Sequence, residues 1–407
     1  MTSETRDTAE ARGKKRDKKA DIIPNHLREG MDPPPGLGRM STETPLLEET
    51  GPGLISWVAT GREEVRAILG DAERFSTRPP ADTEEESRQI TQIGNPLMYD
   101  PPEHTRLRKL LAPEFTLRRM RRIEPQVERI IEDRLDVMER AGQPADFMRH
   151  FAWPIPGLVG CTLLGIPRDD QAELARHLDL SRRDNRGWQA RRTSAKTFDN
   201  YLARYVAARR RDPGDDLVSM LVKEHGADVS DKELVGLAAS VMAAGIENMV
   251  GMLGLGILAL LDHPDQLALL RGRPELMGQA VEELLRYVTV VAVASPRTAL
   301  TEVTVGDHVI EPGQVVSCSL LAVNRVQPPG TPQDHLDILR EGTTHVAFGH
   351  GIHYCAGAAL ARMELRIAFA GVLRRFPALR LAVPREELRF RPPWMATFGI
   401  ENLPVSW

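Results

Sequence analysis

The chain has 407 residues, with 53 basic against 57 acidic side chains and a net charge of −4. At 42% apolar and 27% charged residues, it has the composition of a globular protein able to bury a large core. The charge balance excludes a general case for nucleic-acid binding. Three widely spaced cysteines, Cys161, Cys318 and Cys355, exclude a disulfide scaffold and a four-cysteine zinc module.

Residues 1–20 read as a disordered, charged tail, because the basic stretch Arg12–Lys19 has no apolar run after it. From residue 21 to 407 the composition is uniform, with no long linker and no repeat, so one large domain is expected. No segment reaches eighteen uninterrupted apolar residues, so no membrane span is expected. Sparse cysteine suits a reducing cytoplasm.

The pattern is mainly α with small β-sheets. Leu54–Ala59 reads as a short strand. Phe115–Ala141, Asp169–Leu180, Thr193–Arg211 and Leu217–Glu224 read as helices. Ser230 with Glu233 forms a capping box, and Val229 with Leu234 fits a hydrophobic staple, so a long helix runs to Asp262. That helix is apolar nearly all round, as a buried helix is. Pro264 ends it and opens the next helix. Pro274–Tyr287 is a further helix. Ala299–Val305, Val309–Ile310 and Val315–Leu320 read as strands around the turns at Gly306 and Gly313. Gln327–Thr331 is a Pro/Gly loop, and a last helix covers Ala358–Phe376. Leu388–Phe390, Ala396–Ile400 and Pro404–Trp407 read as short strands.

The segment from Phe348 to Gly357, Phe-Gly-His-Gly-Ile-His-Tyr-Cys-Ala-Gly, places Cys355 in a glycine-rich turn before that last helix. Helix N-terminal N–H groups stabilise a thiolate and lower a thiol pKa. From the residues alone, four readings stand side by side. Cys355 is an inert buried thiol, a metal thiolate, a zinc ligand with His350 and His353, or a nucleophile with an unplaced base.

The same segment resembles the haem-thiolate signature of the cytochrome P450 family. Further motifs follow in the family's order. Glu283-Leu-Leu-Arg286 is similar to its Glu-x-x-Arg pair, and Asp100 to Arg108 to the segment that opens the helix beside the haem. Pro296-Arg297 is similar to the propionate-binding strand, and Ala244-Gly245-Ile246-Glu247 to the oxygen-binding stretch. The resemblance implies a cytochrome P450 fold, a single large domain around a buried haem b (iron protoporphyrin IX).

On that resemblance Cys355 is the proximal iron ligand, Phe348 packs beside the sulfur, and Gly349, Gly351 and Gly357 let the backbone approach. His104, Arg108, Arg297 and His353 pair with the haem propionates. Glu283 and Arg286 form a buried structural ion pair, with Arg340 as third member. Glu247 and Asn248 are the catalytic pair of the oxygen site. Here the chain departs from the family, because Asn248 stands where threonine is usual. An amide donates and accepts hydrogen bonds but does not relay a proton as a hydroxyl does. Gly245 and this polar pair also suggest a local opening of the helical ladder.

The implied substrate pocket takes Ile93 and Met98 from one loop, Ala244 from the long helix, Val291 and Val293 from a strand, and Phe398 from the tail. Most of these are aliphatic, so a mainly apolar small molecule is expected. Five arginines between Ser181 and Arg192 raise an anionic or carrier-tethered substrate, against a plainly solvated lid. Arg106, Lys109, Arg118, Arg119, Arg121 and Arg122 suggest a docking patch for an acidic ferredoxin or flavodoxin, since no electron-donor domain is evident.

The leading expectation is therefore a cytoplasmic haem-thiolate monooxygenase that hydroxylates or epoxidises a secondary metabolite, as in antibiotic biosynthesis. Asn248 motivates a second, atypical haem-thiolate chemistry: oxidative coupling, rearrangement, peroxide-driven oxidation or nitric oxide reduction. A non-catalytic haem- or ligand-binding protein is the alternative of another class.

Overall fold

A computed structural model describes residues 28, 30–49, 55–78, 92–171, 174, 188–326, 334–342, 344–391 and 397–407. In chain order the main elements are α1 (Leu37–Glu43), β1 (Leu46–Glu48), β2 (Trp57–Ala59), α2 (Arg62–Gly70), β3 (Phe75–Ser76), α3 (Glu103–Leu111), α4 (Leu117–Ala141) and β4 (Ala145–Asp146). Then come α5 (Pro154–Leu164), α6 (Trp188–Arg211), α7 (Leu217–His225), α8 (Asp231–Asp262), α9 (Pro264–Gly272) and α10 (Met277–Val288). The last are β5 (Arg297–Ala299), β6 (Val303–Val305), β7 (His308–Ile310), β8 (Val315–Cys318), α11 (Leu320–Arg325), α12 (Ala358–Arg375), β9 (Arg380–Leu381) and β10 (Pro404–Ser406).

Backbone contacts gather into two compact units, each built from separate stretches of chain. The first holds residues 1–80, 283–354 and 390–398. Its five-stranded sheet has the order β1-β2-β8-β5-β3. Only β2 and β8 pair in parallel, with Trp57 opposite Val316 and Ala59 opposite Cys318. Short runs of Val, Ala and Phe suit a half-covered sheet. They bury Trp57, Phe75, Val316 and Cys318 together with Ile68 and Leu69 of α2. Cys318 is a packing residue, its thiol pushed up to about 12 by burial.

The second unit holds residues 81–282, 355–389 and 399–407. It is built around α8, which packs against α5, α6, α12 and the π-helical turn Met148–Ala152. The Ser230 side chain accepts from the Glu233 N–H and the Glu233 side chain reaches back, so the expected capping box starts α8. Val229 and Leu234, the expected staple pair, are both buried. By length and composition α8 could cross a membrane, but 72% of its most apolar window is buried inside the protein. It is the core helix its all-round apolarity predicts. Cys161 of α5 packs in the same interior, and burial pushes its thiol up to about 12. Beside α8, α12 and α4 run parallel, with Arg366 paired to Glu124 and Arg375 to Asp136 at 2.8 Å. β4, β10 and β9 form a small antiparallel sheet.

Several expected boundaries shift. The strand expected to reach Leu320 stops at Cys318, because the Ser319 side chain accepts from the Ala322 N–H and starts α11. The helix expected from Pro274 begins as a 3-10 turn and becomes α-helical at Met277. In the tail, β10 forms as expected, Leu388–Phe390 gives no continuous strand, and the start of the expected Ala396–Ile400 strand lies outside the described residues. The 1–20 tail, the Gln327–Thr331 loop and most of the Asp169–Leu180 helix lie outside the described residues.

Candidate active site

Cys355 lies three residues before α12, with Gly357 as the helix N-cap. A Cβ placed on Gly357 would stand 3.9 Å from the Phe115 ring and 4.0 Å from the Cys355 sulfur. Glycine there leaves the sulfur turn uncrowded, and Phe115 is an aromatic neighbour that sequence reading missed. Dense protein around the thiol raises its pKa. The Gly357 N–H and the positive charges of Arg108 and Arg362 act the other way. This corrects the expectation of a thiol acidified by the helix terminus, because desolvation wins. A metal bound at this sulfur would remove the proton and hold the thiolate against that desolvation.

Arg108 projects from α3, where burial lowers its pKa and the Cys355 sulfur opposes that shift. Arg362 is held by two hydrogen bonds to Glu282, at 2.7 and 2.9 Å. His104 is buried on α3, one turn before Arg108. In the same unit, α8 is buried along most of its length, yet Ala243, Ala244 and Gly245 are exposed. A Cβ on Gly245 would meet nothing within 4 Å. An apolar core helix therefore faces open volume at the stretch read as the oxygen site.

The helix runs unbroken through this stretch, which corrects the expected opening of its ladder. Instead, the Asn248 side-chain N–H donates to the Ala244 carbonyl at 3.1 Å. Ile93 packs at the other end of this face. A Cβ on Gly236 would lie 1.7 Å from the Ile93 carbonyl oxygen, so glycine is what lets that loop touch α8. Met98 closes the adjoining 3-10 turn, Pro96–Met98, and is partly exposed.

In the other unit Arg297 is buried on β5 and donates to the Ser295 carbonyl at 2.7 Å. His353 ends the 3-10 turn Gly351–His353. Phe348 meets the Tyr354 ring edge-on at 6.2 Å. Gly349 and Gly351 have φ of 75° and 73°, the left-handed region that favours glycine. At Gly351 a Cβ would also strike the Leu69 carbonyl at 2.2 Å. The expected trio forms: Arg286 grips both oxygens of Glu283 at 2.8 Å, and Arg340 reaches Glu283 at 3.2 Å. Asp334, which sequence reading missed, adds a second carboxylate to Arg286 at 2.8 Å. Burial lowers the Arg286 pKa, and its bonds to Glu283 and Asp334 more than reverse that.

Two pocket expectations change. Phe398 is only 6% exposed, stacked on Phe390 and covered by the Arg28 guanidinium, so it is a core residue rather than pocket wall. Val291 and Val293 are half-buried against separate core clusters. The arginine-rich stretch from Ser181 to Arg192 lies outside the described side chains. The basic patch narrows too. Arg106 pairs with Glu103 and Glu233, Arg119 with Glu114, and Arg122 with Asp215.

The family model Cytochrome P450 matches residues 270–398. Cytochrome P450 165C4 of Amycolatopsis orientalis is 45% identical over 353 residues, 86% of each chain. The structure of OxyE, a cytochrome P450 involved in teicoplanin biosynthesis, superposes with a TM-score of 0.88 at 47% identity. That match covers 94% of this chain and 99% of OxyE. OxyC, a cytochrome P450 implicated in an oxidative C–C coupling reaction during vancomycin biosynthesis, superposes with a TM-score of 0.85 at 43% identity, over 94% of this chain and 97% of its own. The chain belongs to the cytochrome P450 family and is an oxidoreductase of the monooxygenase type. The family's cofactor is haem. A thiol beside two guanidinium groups, together with an exposed apolar stretch on a core helix, fits that group.

Proposed function

We propose that the protein is a haem-thiolate oxidase of antibiotic biosynthesis that joins two positions of a mainly apolar substrate by oxidative coupling. The likeness to OxyC supports this reading. The observation that carries it is the oxygen site itself, where one Asn248 amide N–H is committed to the Ala244 carbonyl and neither neighbour in the chain, Glu247 or Met249, carries a hydroxyl. Coupling removes two hydrogens from the substrate. With two electrons and two protons from outside, these reduce dioxygen to two molecules of water. A substrate O–H can then serve as both reactant and proton donor.

The cofactor is haem b, with Cys355 as its proximal ligand and His104, Arg108, Arg297 and His353 as donors to its propionates. When bound, a haem with a thiolate ligand supplies dioxygen binding and O–O cleavage. The chain's own residues orient the reactants: Ala243–Gly245 form an apolar floor, and Glu247 is the carboxylate in reach of that stretch. The electron donor is a ferredoxin or flavodoxin. It meets Lys109, Arg118 and Arg121, which are exposed and carry no ion pair among the described residues. Charge reversal there should slow reduction and weaken its salt dependence, whereas reversal at Arg122 should do less. The compartment is the cytoplasm.

Hydroxylation or epoxidation is the second reading, favoured by the retained Glu247 as a proton source. Turnover under labelled dioxygen separates the two. Coupling gives a product lighter by two hydrogens and free of label. Incorporated label sinks the coupling reading and supports oxygen insertion.

A further inference from the structure

The Asn248 side chain has a direction. Its N–H donates to the Ala244 carbonyl, four residues back on the same helix, at 3.1 Å. A carbonyl only accepts, so turning the amide over would set two oxygens against each other. That bond fixes which end of the amide serves the helix backbone and leaves the side-chain oxygen Oδ1 outside it, together with the second N–H. No described residue donates to it. Around it the helix exposes only Ala243, Ala244 and Gly245, none of which offers a side-chain donor.

We propose that Asn248 is a specificity-determining acceptor, whose Oδ1 selects a substrate that brings a hydroxyl donor on an apolar frame into the oxygen site. An O-alkylated analogue cannot make that bond and leaves the acceptor without a partner, which costs affinity. The polarity is opposite to that of a threonine hydroxyl, which can donate toward the distal ligand. The inference rests on the haem-thiolate reading above. It does not depend on coupling, since a hydroxylating enzyme could use the same acceptor.

The test uses the reduced, haem-loaded enzyme with carbon monoxide as a probe of the distal side. A lone pair facing the carbon monoxide oxygen raises its stretching frequency, and a donor lowers it. Wild type should lie above Asn248→Leu, and Asn248→Thr below both. A wild-type frequency level with or below that of Asn248→Leu overturns the proposal. A second measurement compares the affinities of 4-phenylphenol and its methyl ether by optical titration. Wild type should prefer the phenol about five- to tenfold, and Asn248→Leu should bring the ratio near one. No preference for the phenol in wild type also overturns it. Label incorporation from dioxygen alongside the expected frequencies would remove the coupling reading and leave this one standing.

Discussion

Arg286 and Glu283 meet through two parallel hydrogen bonds of 2.8 Å, one turn apart on α10, with both side chains almost wholly buried. A fork-to-fork pair of this kind is geometrically specific. Arg340, Asp334 and the Asp337 N–H satisfy much of what remains. Removing one partner strands a buried charge, at a cost of about 3–5 kcal/mol. Arg286→Ala should yield protein with little bound haem and a lowered melting temperature, read from the ratio of haem to protein absorbance and from thermal unfolding. Arg286→Lys should rescue only partly, because an ammonium cannot span both carboxylate oxygens. A fully haem-loaded Arg286→Ala of wild-type stability would sink this account.

Much of this was legible in the chain. The capping box, the all-round apolarity of α8 and the Pro264 stop define that helix to within a residue. The cysteine segment and Glu-x-x-Arg rest on short spacings that local geometry enforces. What escaped was non-local. Asp334 joins Arg286 from 48 residues away, and no periodicity reports such a contact. Phe115 reaches the cysteine turn from the end of a 3-10 turn. Phe398 read as pocket wall because its position in the chain does not reveal that Arg28 covers it. The balance of desolvation against helix terminus at Cys355 depends on packing density, which the sequence does not carry.

Gly236 tests the contact between α8 and the loop carrying Ile93. A methyl group there would overlap the Ile93 carbonyl oxygen, a backbone atom that cannot rotate away. Gly236→Ala should therefore displace the loop as well as destabilise the protein by about 1–3 kcal/mol. The expected signature is weaker binding of apolar ligands in spin-state titrations with haem still bound. An unchanged binding profile would show that the 92–98 loop does not shape the pocket.

The proximal ligand is tested by Cys355→Ser. The wild-type reduced carbon monoxide complex should show the red-shifted Soret band of a thiolate ligand, and the variant should lack it. Arg108→Ala keeps the sulfur but removes one of two nearby positive charges. It should retain the red-shifted band with a lowered reduction potential, because the oxidised, less negative site is then less disfavoured. A potential unchanged by the loss of Arg108 would place its charge too far from the sulfur to matter.

Glu364 of α12 carries a buried carboxyl, and its Oε1 has no hydrogen-bond partner among the described residues. The helix register places it two turns beyond Gly357, beside the apolar stripe of the parallel helix α4. Burial alone raises its pKa from 4.5 to about 8. The folded protein therefore holds this proton at pH values where the unfolded chain has released it. Its contribution to stability is complete below about pH 4.5 and is lost as pH rises toward 8. Glu364→Gln is neutral at every pH and escapes that loss. At pH 5 the two proteins should unfold at similar temperatures, and by pH 8.5 the glutamine variant should be more stable by about 2–4 kcal/mol. Parallel melting curves across this range would mean that the carboxyl is ionised throughout, with a partner that compensates its burial.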